Sequence, residues 1–169
     1  MKLQTRGEIK NWLVQHNIAG YTINQDVNKQ LYRVDVDSNC KLYDVEINVL
    51  PVQFGRVEGD FYCNASELIS LEGVPYYVGG TFYCSRTNIK SLSGIDKIVK
   101  YIGAEFFCTD LIPPPTHLLG LLLIGGIKRI KIDYDGPIDK IMNKYIGTGD
   151  ILSAQDELID VGLIDQARL

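Results

Sequence analysis

The sequence predicts an α+β protein: a short β-solenoid with parallel strands, flanked by an N-terminal helix and hairpin and by C-terminal helices. Three observations carry this. First, a stretch of text recurs. Val57-Glu-Gly-Asp-Phe-Tyr-Cys63 returns as Val78-Gly-Gly-Thr-Phe-Tyr-Cys84, 21 residues on, and as Ile102-Gly-Ala-Glu-Phe-Phe-Cys108, after a further 24. A period in the twenties marks coils that bury their apolar edges only against their neighbours. Second, the chain before the repeats shows helical and then alternating periodicity. Third, the chain after them is helical again.

The N-terminal part, residues 1–37, opens with Thr5-Arg-Gly-Glu8, the pattern of a capping box. Ile9, Trp12, Leu13 and His16 follow at helical spacing, which predicts a helix over 6–16. Tyr21-Thr-Ile-Asn24 and Gln30-Leu-Tyr-Arg-Val-Asp-Val36 alternate, and Asn24–Lys29 between them is rich in turn residues, so a hairpin is expected.

Residues 38–132 form the predicted solenoid. Aligned coils place Cys40-Lys41-Leu42 beneath Phe61-Tyr62-Cys63, Phe82-Tyr83-Cys84, Phe106-Phe107-Cys108 and Leu122-Leu123-Ile124, each triplet one short strand. Side chains alternate across a strand. The first and third members of each triplet therefore face inward, and the middle ones face out. Leu68 with Leu71, then Ile89 with Leu92, recur at matched offsets on the return side. Gly59, Gly79, Gly80 and Gly103 precede the strands, where the chain turns a tight corner.

Residues 137–169 read as a helical cap. Pro137 suits a first helical position, Gly147-Thr-Gly149 breaks the helix, and Asp150 can cap a second one. Both caps would cover the raw edges of the strand stack. The three parts together are expected to form a single domain, 1–169.

Bulk properties narrow the function. The net charge is −4, and the segment from Asp150 onward carries five acids against Arg168 alone, so the remainder is balanced. Phosphate recognition needs a concentrated basic patch, and Lys128, Arg129, Lys131, Lys140 and Lys144 make only a small one. The four cysteines, Cys40, Cys63, Cys84 and Cys108, contain no Cys-x-x-Cys pair, and one thiol per coil at matched positions reads as core. Asp35-Val-Asp37-Ser-Asn39 with Glu46 has the spacing of a calcium loop, but Cys40 stands where glycine is wanted. No motif links His16 or His117 to a nucleophile. No metal, cofactor or catalytic residue is expected. The polar start lacks the apolar core of a signal peptide, and the run Leu118–Ile124 is too short for a membrane span, so a cytoplasmic protein with reduced thiols is expected.

The repeat text resembles that of short leucine-rich-repeat-like solenoid proteins of bacteriophages and prophages, whose copies run close to V-G-G-D-F-D-C-S-N-N-x-L-T-S-L-E-G-x-P. The matching residues are Val57–Asn64 with Leu68–Pro75, then Val78–Ser85 with Ile89–Gly94. The opening Thr5–Ile18 and the tail Asn143–Ile159 are similar to segments found in such proteins. The resemblance implies a leucine-rich-repeat-like fold and a viral setting inside a bacterial cell. It implies no catalytic residues.

The best candidate site is the outward column Lys41, Tyr62, Tyr83, Phe107, Leu123, flanked by Asn39, Asp60, Thr81, Glu105 and Leu121. Rigid aromatics make good binding anchors. Asp60, Tyr62, Thr81, Tyr83, Glu105 and Phe107 are therefore the expected protein-binding residues. The other reading is that a terminal element covers this face. The expected function is binding a host bacterial protein as an inhibitor or modulator, in host takeover or anti-defence. Nucleic-acid or nucleotide binding, an acidic mimic of DNA, an enzyme with an unrecognised site and a homodimer through the aromatic column remain as alternatives.

Overall fold

The computed structural model describes residues 2–26, 31–43 and 46–169. Helix α1 (Arg6–Gln15) starts at Thr5, whose hydroxyl accepts the Glu8 N–H while the Glu8 carboxylate accepts the Thr5 N–H, the reciprocal box that the sequence spells. Ile9 and Leu13 are buried, and the Trp12 ring lies 6.4 Å from that of Phe54. Strands β1 (Tyr21–Asp26) and β2 (Leu31–Val36) form the expected antiparallel hairpin. The residues that would turn it, 27–30, lie outside the described set.

The solenoid is built from two parallel sheets meeting at a corner. In one, β2 is followed by β4 (Phe54–Val57), β6 (Tyr77–Val78) and β8 (Tyr101–Ile102). In the other, β3 (Cys40–Lys41), β5 (Phe61–Tyr62), β7 (Phe82–Tyr83), β9 (Glu105–Phe107) and β10 (Arg129–Lys131) lie in order. The register of the second sheet is Cys40–Phe61–Phe82–Phe106–Ile130 on the inside and Lys41–Tyr62–Tyr83–Phe107–Lys131 on the outside. The rings of Phe54, Phe61, Phe82 and Phe106 form one inner column at 5.2 to 5.6 Å, all fully buried. Cys63, Cys84 and Cys108 are buried beside it.

The first parallel sheet was not predicted. Val57, Val78 and Ile102 open the repeat text, and each belongs to a strand of its own rather than to a corner.

The fifth rung corrects the alignment. Leu122-Leu123-Ile124 is not a strand: Leu119–Leu123 is a 3₁₀ turn, and the rung is Arg129–Lys131. Leu118, Leu119, Leu121 and Ile124 are all buried on the return side of that coil. A short apolar run cannot by itself distinguish a buried strand from a buried turn. The period did carry the answer, since Ile130 stands 24 residues after Phe106, as Phe106 stands 24 after Phe82. The longer coils hold extra elements: the short helix α2 (Ile95–Ile98) in one and the 3₁₀ turn in the other.

The corner glycines also have a different cause from the one expected. Gly59, Gly79, Gly80 and Gly103 all lack a positive φ. What they share is the absence of room for a Cβ, which would strike the Asn39 side chain, the Glu58 carbonyl, the Asp60 carboxylate and the Gly79 carbonyl respectively, each on the preceding coil. Coils approach too closely there for any side chain. Positive φ instead falls two residues after Cys63, Cys84 and Cys108, on Ala65 (φ 51), Arg86 (φ 52) and Asp110 (φ 62).

At the far end, α3 (Pro137–Tyr145) and α4 (Ile151–Asp160) pack on each other, on β10 and on the 3₁₀ turn. The buried Asp139 carboxylate accepts the backbone N–H groups of Ile132, Asp133 and Asp135. Asp150 caps α4 by accepting the Ser153 N–H. Among the described residues, no helix is long and apolar enough to cross a membrane.

Two substitutions separate the two roles of backbone geometry. Ala65→Gly relieves a left-handed alanine and should raise the urea midpoint, by about 0.5–1 kcal/mol of stability. Gly79→Ala forces a Cβ onto the Glu58 carbonyl and should cost more than ~2 kcal/mol in the same measurement, because neighbouring coils must separate.

Candidate binding face

The outer column of the second sheet begins at the corner. Asn39 Oδ1 accepts the Asp60 N–H at 2.8 Å, and Asp60 Oδ1 accepts the Thr81 N–H at 2.7 Å. The first two steps of this corner are thus each held by a side-chain oxygen. The second carboxylate oxygen of Asp60 accepts the Tyr62 hydroxyl at 2.9 Å. One residue therefore sets both the corner and the outermost ring.

From there the rings align in register. Tyr62 and Tyr83 stack at 4.6 Å with planes 4° apart, and Tyr83 and Phe107 at 5.3 Å and 23°. Tyr43 meets Tyr62 edge-on at 6.3 Å. Lys131 occupies the rung beyond Phe107, and its ammonium pairs with Asp135 at 2.7 Å. The faces between Tyr62, Tyr83 and Phe107 are thus used up by one another. What is presented outward is ring edges and the Tyr83 hydroxyl.

Of the six expected binding residues, Tyr62, Tyr83, Phe107, Asp60 and Glu105 are half-buried, and the aromatic three stack on one another. Thr81 is 8% exposed and offers a partner little surface. With β10 as the fifth rung, Lys131 and Arg129 stand where Leu123 and Leu121 were expected. The column thus runs from one lysine, Lys41, to another.

A second outward stack was missed. On the adjoining sheet the Arg56 guanidinium lies 3.7 Å from the Tyr77 ring centroid, and Tyr77 stacks on Tyr101 at 4.9 Å and 10°. Arg33 sits 5.3 Å from the Tyr76 ring. The Arg56 guanidinium is also paired with Glu58 at 2.9 Å. The signal available in the sequence was the 24-residue step from Tyr77 to Tyr101, the same step that separates Tyr83 from Phe107.

The thiols are arranged as structure. All four cysteines are free and fully buried. Cys63 Sγ donates to the Tyr83 carbonyl at 3.2 Å, and Cys84 Sγ to the Phe107 carbonyl at 3.4 Å. Burial pushes the Cys40 thiol up to about 12. It pushes Cys63 and Cys84 well above the thiol range, with neighbouring cysteines adding to the effect. A nucleophilic cysteine needs the opposite setting, a depressed pKa and access to solvent. The histidines serve local contacts. His16 stacks on Trp12 at 4.3 Å, and His117 Nδ1 lies 2.8 Å from Thr116 Oγ1 and 3.2 Å from Ser91 Oγ. In the basic cluster, Arg129 and Lys131 share the carboxylate of Asp135. Asp35 is a ladder residue, its carboxylate accepting the Arg56 N–H and an Asn24 amide hydrogen.

No protein-family model, curated protein or solved structure matches the chain.

The thiols predict an alkaline limit to stability. Below pH 9, the ordinary value for a thiol, folded and unfolded chains both keep these protons and the full stability is present. Above it the unfolded chain releases protons that the folded chain retains. Each of Cys40, Cys63 and Cys84 then removes ~1.4 kcal/mol per pH unit, until its folded value is reached. Urea midpoints should fall steeply between pH 9 and about 12, the range over which Cys40 contributes. The fall should be shallower in Cys84→Ala.

Proposed function

We propose that this chain is a protein-binding module whose working surface is the outer face of the second sheet. The observation that supports it is the Tyr62–Tyr83–Phe107 column, three rings preset at one register by the coils beneath them. A preformed aromatic surface loses little conformational entropy when a partner docks. Because neighbouring rings occupy each other's faces, the column has no open slot between its rings for a nucleobase or a sugar ring to stack in. Ring edges and the Tyr83 phenolic hydroxyl suit the aliphatic and carbonyl groups of a protein surface.

The reading extends to identity and setting. The coils are taken as leucine-rich-repeat-like, of the bacteriophage and prophage type, with α1 and the hairpin capping one end and α3 and α4 the other. The partner is a host bacterial protein met in the cytoplasm, and the effect is inhibition or modulation by occlusion.

The test is an affinity capture from bacterial lysate with tagged protein, at moderate and high salt, using wild type beside Tyr62→Ala/Tyr83→Ala. The double variant should remain folded by circular dichroism, with about 1–3 kcal/mol less stability from lost ring stacking and burial. One host protein retained at both salts by wild type, and lost by the folded variant, is the expected result. Retention of nucleic acid alone, released by salt, would overturn the reading, as would equal capture by both proteins.

A further inference from the structure

Two sheets have four edges, and the structure closes or shortens three of them. At β10, Asn143 acts as a surrogate strand: its Oδ1 accepts the Ile130 N–H at 2.8 Å and its Nδ2 donates to the Ile130 carbonyl at 2.7 Å. At β8, Gly125 pairs with Tyr101 and its carbonyl accepts the Ile102 N–H. β3 is two residues long. The fourth edge is β1, six residues long and, among the described residues, paired on one side only.

The register says which groups of β1 are left over. The Asp37 N–H donates to the Gly20 carbonyl, so that pair is hydrogen-bonded. In an antiparallel ladder bonded pairs alternate, which makes Thr22–Asp35 and Asn24–Arg33 the next ones. Tyr21, Ile23 and Gln25 therefore point their N–H and C=O groups away from β2. Among the described residues none of these six groups has a partner. Native edges are usually blunted by lysine, proline or a bulge. β1 reads Tyr-Thr-Ile-Asn-Gln-Asp, with neither residue, and its register against β2 is unbroken. Beside the edge is a groove of about 460 Å³ lined by Arg6, Lys10, Tyr21, Thr22 and Ile23. Arg6 and Lys10 are exposed, and among the described residues neither has an ion pair.

We propose that β1 accepts an extended acidic peptide segment, which adds as a new edge strand and sets two carboxylates against Arg6 and Lys10. Backbone pairing supplies the attachment, and side chains the selectivity. The spacings agree. Residues i and i+2 on one face of a strand lie roughly 6.8 Å apart, and residues i and i+4 on a helix about 6 Å apart. An acidic–x–acidic segment therefore meets both cations. A second copy of this chain fits less well, because its β1 carries no two acids at that spacing. The proposal is independent of the aromatic column.

The test uses end-blocked (Val-Glu)5 and (Val-Lys)5 peptides and amide hydrogen exchange followed by NMR. (Val-Glu)5 should slow exchange at Tyr21, Ile23 and Gln25 by about tenfold or more, a population shift of at least 1.4 kcal/mol. Thr22 and Asn24, already bonded to β2, should be little changed, and (Val-Lys)5 should have no effect. Arg6→Glu/Lys10→Glu, checked for fold by circular dichroism, should reverse the preference. Tyr62→Ala/Tyr83→Ala should bind (Val-Glu)5 as wild type does. No protection by either peptide, or equal protection by both, would overturn the proposal. So would protection that grows with protein concentration in the absence of peptide, which would assign the edge to a second copy.

Discussion

The register of one coil on the next is the constraint on which the rest of this molecule depends. It is held from inside by the buried column of Phe54, Phe61, Phe82 and Phe106, and at the corner by Asn39 and Asp60 reaching to the following coil's amides. A slip by one residue would exchange inner and outer side chains and bring Tyr62 and Tyr83 inward. The inner column is apolar and large, so the penalty for that exchange is high. The outer column inherits its order from the inner one and needs no covering element to keep its rings parallel.

That inheritance shapes what the outer face can do. Rings locked face to face behave as a ribbed surface of edges. The same register brings Arg56, Tyr77 and Tyr101 into line on the adjoining sheet, with Gly126 leaving room for the Tyr101 ring. Two stacked stripes therefore lie on either side of a corner only two or three residues wide, between Val57 and Phe61, Val78 and Phe82, and Ile102 and Glu105. A partner wide enough to span the corner would meet both stripes. The cysteines belong to the same economy of space: a small apolar side chain fits between coils, and its thiol finds a carbonyl on the next one.

The two ends of the stack are finished differently. At the C-terminal end, side chains of α3 take over the backbone groups of the last coil, Asn143 at Ile130 and Asp139 at Ile132, Asp133 and Asp135. At the N-terminal end the hairpin continues the first sheet and finishes on β1, with its outer backbone groups unpaired among the described residues. A stack that closes one end by side-chain mimicry and leaves a strand edge at the other is asymmetric in how it can associate.

Much of this was legible in the residues. The Thr5–Glu8 box, the hairpin strands, the Phe-x-Cys inner positions and the Asp150 cap are local or strictly periodic, and such signals survive without knowledge of the fold. The first parallel sheet, the fifth rung at Arg129–Lys131 and the reason for the corner glycines were not read correctly. Leu122–Ile124 has the composition of an inward strand, yet only packing against the coil before it decides that this run turns and that Ile130 takes the rung. Gly79 looks like a turn glycine, yet its φ is ordinary, and it is the Glu58 carbonyl one coil away that excludes a side chain. Sequence determined the repeat, the two faces of each strand and the ends of the helices, because those depend on spacing along the chain. Tertiary structure decided which run completes the stack, where coils touch and which edge stays open, because those depend on atoms twenty or more residues apart arriving at the same place.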